Sequence, residues 1–246
     1  MADVARARLA RPDAGGRPGR VAFYDFDGTL VSGNVVKRYA WYAKRHPKLT
    51  EAAWRYGKVA LLVPVWLALD VLSRRLFNVV FFRQYRGLRE DWLRSRSGAI
   101  FEGLIRREQF RYARERVALD KAAGYRTVLV TGGLDFAVSG AAGYFGFDDM
   151  LANRLAFKDG VATGEVVRPL LAGEEKASAL RGYATARGFR MDEARAYSDS
   201  YSDLPMLRAV GKPVATNPAK RLRKAARANR WPILDLSQSP FPDGGA

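Results

Sequence analysis

The chain has 246 residues, enough for one large domain or a core with an inserted subdomain at about 100–200 residues per domain, and its 48% apolar content is ample for a core. It contains no cysteine, which excludes disulfides, zinc–thiolate sites and thiol catalysis and suits a cytoplasmic address. A formal charge of +17 directs attention to anionic partners: phosphate esters, acidic lipid surfaces or nucleic acid.

Residues 1–20 hold five Arg, two Pro and no aromatic residue and are predicted to be a disordered basic tail; they lack the apolar run of a signal peptide. Val21 to Leu30, VAFYDFDGTL, is the stretch around which the chain is organised. Its β-prone apolar residues suit a central parallel strand, whose ligands gather beyond the carboxyl end. Asp25 and Asp27 stand at that end. A carboxylate there can attack phosphorus, and a second one two residues on can give and take a proton. Gly28 permits a sharp turn and Thr29 offers a hydroxyl, although Asp-x-Asp-Gly also suits plain strand-to-turn punctuation.

Residues 33–111 change to helical patterning rich in Trp, Tyr, Phe and Arg, and an all-helical cap is predicted there, inserted into a core formed by residues 21–32 and 112–238. Val59 to Leu69 is apolar throughout, but Pro64, Asp70, Ser73, Arg74 and Arg75 interrupt the stretch before the roughly 20 residues that a bilayer span requires. It reads as a buried cap helix, as an acyl-chain pocket, or as a segment lying on a membrane. Arg83, Arg86 and Arg89, three apart, are predicted to share one helical face, solvated or closing over a phosphorylated substrate. His46 is the sole histidine, which excludes histidine clusters; before Pro47 it reads as a helix end.

Beyond the cap, helix and strand alternate, as in an α/β doubly wound (Rossmann-like) parallel sheet. Glu108 to Ala123 is predicted as a helix and Tyr125 to Val130 as a strand ending in Thr131-Gly132-Gly133. At the start of a following helix these residues would form an anion site, or they are only a turn. Asn153 to Val167 reads as a strand pair across Lys158-Asp159-Gly160. Gly173-Glu174-Glu175-Lys176 opens a helix to Ala186, and a lysine so placed opposes the helix dipole, which points to a task such as holding phosphate if it is not simply solvated. Glu193 to Tyr197 is a strand followed by Asp199 and Asp203, hard oxygen ligands that suit Mg²⁺, with Asp203 equally able to cap the next helix. Pro213 to Thr216 is the last core strand, a helix follows from Pro218, Pro232 to Leu236 is an edge strand, and residues 239–246 are a tail. Between Leu204 and Leu234 there are eight Lys or Arg and no acid, a basic surface facing water or lipid headgroups.

The order DFDGT, strand-Thr-Gly, Gly-Glu-Glu-Lys and Asp-Ser-x-x-Asp resembles the haloacid dehalogenase superfamily over about residues 20–238. It is most similar to the phosphoserine-phosphatase-like branch, because the cap lies between the first and second motifs and the ending reads AYSDSYSDLPMLRAVGKPVATNP. The resemblance implies a Mg²⁺-dependent phosphomonoesterase that works through an aspartyl-phosphate. Asp25 is then the nucleophile and Asp27 the general acid/base, while Thr131, Gly132 and Lys176 bind the phosphoryl group. Mg²⁺ is held by Asp25, Asp199 and the Asp27 carbonyl, with Asp203 in support. Phosphoserine phosphatases carry a Glu shortly after the first motif, and the corresponding position here is Asn34. Together with the apolar run and the charge, this favours an amphipathic, lysophospholipid-like monoester over phosphoserine, with peripheral contact at the inner face of an anionic membrane. Phosphoserine phosphatase itself is the alternative substrate assignment. A membrane-surface or nucleic-acid-binding protein without catalysis is the alternative class; nucleic-acid binding leaves the four acids and Lys176 unexplained.

Overall fold

In the computed structural model, which describes residues 19–242, the chain runs β1 (Arg20–Tyr24), α1 (Val35–Lys44), α2 (Leu49–Leu72), α3 (Arg74–Phe82), α4 (Glu90–Ser95), α5 (Ser97–Ile100), α6 (Arg106–Glu108) and α7 (Ala113–Ala122). It continues through β2 (Tyr125–Leu134), α8 (Asp135–Phe145), β3 (Asp149–Asn153), β4 (Leu155–Lys158), β5 (Val161–Val166) and α9 (Glu174–Arg187). The last elements are β6 (Arg195–Ser198), α10 (Leu204–Arg208), β7 (Lys212–Thr216), α11 (Lys220–Ala228) and β8 (Ile233–Leu234). The predicted basic tail lies outside the described residues except for Gly19 and Arg20, and Arg20 already belongs to β1.

The unbroken apolar run of β1 is explained by its position. Val21 and Phe23 face one core cluster, Ala22 and Tyr24 face the other, and all four are buried. A parallel strand covered on both faces has no solvent side on which to place a polar residue. The six strands pair in parallel in the order β3-β2-β1-β6-β7-β8, the predicted doubly wound topology. The order reverses between β1 and β6, and the crevice beyond the carboxyl ends of those two strands is where such sheets bind ligands.

Several predicted boundaries shift. β2 runs on through Thr131-Gly132-Gly133 to Leu134 with a register shift against β3, so the glycines are a strand irregularity and not a helix start. β3, which was not predicted, ends at Asn153, and the predicted 108–123 helix begins only at Ala113 because Phe110 N–H is bonded to the Leu30 carbonyl at 3.0 Å. The predicted strand pair is the hairpin β4–β5, turned by Asp159 and Gly160, both at positive φ as a tight hairpin turn requires. It stands outside the main sheet and packs against the cap through Gly87 N–H to the Ala162 carbonyl (2.9 Å) and Ala162 N–H to the Leu88 carbonyl (2.8 Å). Arg83, Arg86 and Arg89 form no helical stripe: residues 83–85 are a single 3₁₀ turn, Gly87 breaks the chain direction, and Arg89 is paired with Asp91 at 2.8 Å.

The cap is held by aromatic edge-to-face packing, with Tyr42 against Trp41, Tyr85, Trp92 and Phe136, and Phe81 against Tyr39 and Trp66. Because Phe136 belongs to α8, the cap and the sheet share one core cluster. α2 is continuous through Pro64, and no helix among the described residues is long and apolar enough to cross a membrane.

Under the sheet, the fully buried Asp120 carboxylate accepts from Tyr24 Oη (2.5 Å), Tyr197 Oη (2.8 Å) and Arg116 Nη2 (2.6 Å), with Arg195 as a further partner. Asp120→Ala would strand these donors and two guanidinium charges, and an expected loss of about 3–5 kcal/mol follows from breaking a buried ion pair. Urea unfolding measures it; a loss below about 1 kcal/mol would show the network to be dispensable.

Candidate active site

Asp25 follows β1 directly, and its N–H is bonded to the Tyr197 carbonyl of β6 at 2.9 Å, so the switch point of the sheet fixes it. Lys176, in the first turn of α9, places Nζ 2.6 Å from Asp25 Oδ1 and 2.8 Å from Asp203 Oδ2. Ser198 Oγ donates to the same Asp203 oxygen at 2.9 Å. Asp203 therefore does not serve as a side-chain helix cap, which was one reading of its position. The Thr29 hydroxyl lies 3.3 Å from Asp25 Oδ2 and 3.2 Å from Asp199 Oδ1, and its oxygen accepts the Asp199 N–H at 3.1 Å. Asp25, Asp27, Thr131, Gly132, Lys176 and Asp203 line one pocket of about 50 Å³, joined from the cap by Val35, Arg74 and Asn78. Asp199 stands beside the pocket, linked to Asp25 through Thr29.

Gly28 makes this approach possible. It sits at φ +82°, and a Cβ there would lie 2.1 Å from Asp199 Oδ2. Asn217, itself at positive φ, clamps the same loop by donating to the Gly28 and Thr29 carbonyls at 3.2 and 2.9 Å. Across the pocket, Thr131 Oγ1 accepts the Gly133 N–H at 2.9 Å, which leaves its own proton to donate. Asn153 ties the Gly132 carbonyl (2.8 Å) to Leu171 N–H (2.8 Å), fixing both sides of the phosphate-sized recess.

The electrostatics are those of an acid-rich site short of positive charge. Burial raises Asp25 above the usual carboxylate range; Lys176 opposes this and Asp203 and Asp27 add to it. Burial likewise raises Asp199, reinforced by Asp25 and Asp203. Burial pulls Lys176 down, but Asp203 and Asp25 outweigh it and hold the ammonium above its ordinary value. One lysine thus bridges two buried carboxylates, Asp25 and Asp203. The donor set, all hard oxygen without nitrogen or sulfur, fits Mg²⁺. Among the described residues no three Asp, Glu or His side chains form a metal cluster by themselves, so Asp25 and Asp199 would need further oxygen donors to hold an ion.

Asp27 is placed by a residue that the sequence did not reveal. Arg38 of α1, 1% exposed, grips its carboxylate with both Nη1 (2.8 Å) and Nη2 and stacks on Phe26 with 4.9 Å to the ring centroid. Arg38 lies in a run that reads as ordinary cap helix, and no spacing marked it. Ser198, Asn153 and Asn78 were missed for the same reason. Asn34 is exposed and caps α1 by accepting the Lys37 N–H at 3.0 Å. It does not line the pocket, where Arg74 is the only charged cap residue among the described residues.

Gly28→Ala is expected to push Asp199 away and to weaken Mg²⁺ binding about 10–100-fold, the usual cost of disturbing a ligand's support. Calorimetric titration with Mg²⁺ reads this directly; unchanged affinity would remove Asp199 from the ligand set.

A sequence model of the haloacid dehalogenase-like hydrolases matches residues 22–208. The chain is 38% identical over 129 residues to a Mycobacterium tuberculosis protein named probable phosphatase Rv3661, covering 52% of this chain and 45% of that one. It is 30% identical over 224 residues to M. tuberculosis phosphoserine phosphatase SerB1, covering 87% of this chain and 70% of that one. The match to the first of these relatives thus spans less than half of its length. Among solved structures, a protein of unknown function from Bordetella pertussis Tohama I has the same fold, with TM-score 0.76 and 24% identity over 89% of this chain and 100% of that one.

Proposed function

We propose that this chain, which belongs to the haloacid dehalogenase-like hydrolase family in its phosphoserine-phosphatase-like branch, hydrolyses phosphate monoesters through an aspartyl-phosphate with Mg²⁺ as cofactor. The observation that carries the proposal is the bridge from Lys176 Nζ to Asp25 (2.6 Å) and Asp203 (2.8 Å) at the mouth of the sheet, beside the Thr131–Gly132 recess.

Asp25 Oδ2 attacks phosphorus as the bond to the departing oxygen breaks, and Asp27 gives that oxygen its proton. Water then attacks the phosphoryl group on Asp25, Asp27 takes the water's proton, and the bond to Asp25 breaks to release inorganic phosphate. Lys176 and the Thr131 hydroxyl neutralise and orient the phosphoryl oxygens, which is most of the catalytic task in phosphoryl transfer. Asp25, Asp199 and the Asp27 carbonyl would hold Mg²⁺, whose contribution when bound is to offset the negative charge shared by nucleophile and substrate. Arg38 orients Asp27 by donating to both of its carboxylate oxygens.

Among the described residues the carboxylates lining the pocket are Asp25, Asp27 and Asp203, the last already bonded by Lys176 and Ser198, so none is left to receive a substrate ammonium, and Asn34 is occupied as a helix cap. This supports an anionic, partly apolar monoester such as a lysophosphatidate over phosphoserine. Phosphate release is the test. Activity is expected to vanish with a strong chelator and to return with Mg²⁺, and kcat/KM is expected to be higher for lysophosphatidate than for phosphoserine. Turnover that survives metal stripping would contradict the cofactor, and a clear preference for phosphoserine would contradict the substrate class.

A further inference from the structure

α2 differs from an ordinary surface helix in being apolar on both sides. Ala52, Val59 and Trp66, seven residues apart, are buried against the cap. On the outer side Trp54, Leu61, Val65 and Leu72 are 66%, 77%, 51% and 77% exposed. Their spacings of seven, four and seven place them in one stripe along the helix, about 27 Å long at 1.5 Å per residue. α3 adds Leu76 and Val79, which are also exposed. A surface helix normally turns a polar face to water, and a contiguous exposed apolar patch of this extent marks an interaction site.

The surrounding charge indicates what covers it. Residues 48–89 contain eight Lys or Arg against two acids; Arg55 is paired with Glu51, and Arg89 with Asp91 just beyond the segment. A second copy of the chain would bring the same positive charge to the contact. An anionic bilayer brings the complement, at about 1 kcal/mol per basic residue near the surface. Because no helix among the described residues is long and apolar enough to cross a membrane, the arrangement suits a helix lying in the headgroup plane.

We propose that the outer face of α2 and α3 docks on an anionic lipid bilayer. Arg74 and Asn78 of α3 also line the catalytic pocket, so docking sets the pocket beside the headgroups. On the reading of that pocket as a phosphomonoesterase site, phosphate monoesters borne by lipids then come within its reach; the docking itself does not depend on that reading.

Vesicle sedimentation of the full chain tests the proposal. Partition into phosphatidylcholine vesicles containing phosphatidylglycerol is expected to exceed that into pure phosphatidylcholine at least about tenfold. It is expected to fall at least about tenfold in the triple variant Leu61→Asn, Val65→Asn, Leu72→Asn. The variant's circular dichroism and its hydrolysis of soluble p-nitrophenyl phosphate are expected to match the wild type, since none of the three residues lines the pocket. Vesicle binding by a protein that hydrolyses no phosphate ester would sink the catalytic assignment and leave the docking intact. Wild-type protein that ignores both vesicles, equal binding to both, or a variant that binds like the wild type would overturn the docking. A concentration-dependent dimer abolished by the triple substitution would overturn it too, by assigning the face to a second copy.

Discussion

Asp25→Asn is expected to lower turnover by at least about 10⁴-fold, because removing a covalent nucleophile eliminates the pathway and leaves only binding and electrostatic stabilisation. The amide has the shape of the carboxylate and Lys176 keeps Asp203 as a partner at 2.8 Å, so the fold should persist. Steady-state phosphate release beside circular dichroism makes the comparison. A folded variant within tenfold of the wild type would mean that Asp25 is not the attacking group.

Lys176→Met is expected to cost both activity and stability. Lys176 is 5% exposed and its ammonium bridges Asp25 and Asp203, so its removal leaves these two buried carboxylates without the cation that joins them. Breaking a buried pair from one side costs about 3–5 kcal/mol, and turnover should fall with it because the phosphoryl group loses its fixed positive partner. The direction with pH follows from the acids. Without Lys176 the folded-state protonation of Asp25, already favoured by burial, is favoured still further over the unfolded chain, so the added instability is largest above neutral pH and shrinks as pH falls and Asp25 takes up a proton. Denaturant unfolding of metal-free protein across pH reads this, and a pH-independent deficit would assign the loss to packing rather than charge.

The parts of this molecule legible in the sequence are those where chemistry and local geometry coincide. The β1 run followed by Asp25 and Asp27 announces a buried parallel strand opening on a site, and the sheet order places Asp199 at the next strand end as the alternation of elements predicts. The Asp159–Gly160 hairpin was readable because positive φ has few tolerant residues. What was not legible depends on distant parts of the chain. Arg38 looks like any basic residue of an amphipathic helix until α1 packs against Phe26 and brings its guanidinium to Asp27. Nothing in the sequence sets Asn153 and Asn217 apart until their amides are found holding the Gly132 carbonyl on one side of the pocket and the Gly28–Thr29 turn on the other. The Thr131-Gly132-Gly133 segment, read as the start of the following helix, is instead the irregular end of β2, where the register against β3 shifts between Thr131 and Leu134, and α8 begins at Asp135. The Val59–Leu69 run combined one buried and one exposed face, which hydropathy alone cannot separate.

The measurement that bears most directly on the central claim is rapid acid quench of wild-type protein during turnover of a radiolabelled phosphate monoester, followed by peptide mapping. Acid-stable trapping of phosphate on the peptide carrying Asp25, released by hydroxylamine as an acyl-phosphate and absent from Asp25→Asn, is the predicted result. Steady release of labelled phosphate with no label on the protein at any quench time, or label on a different residue, would contradict it.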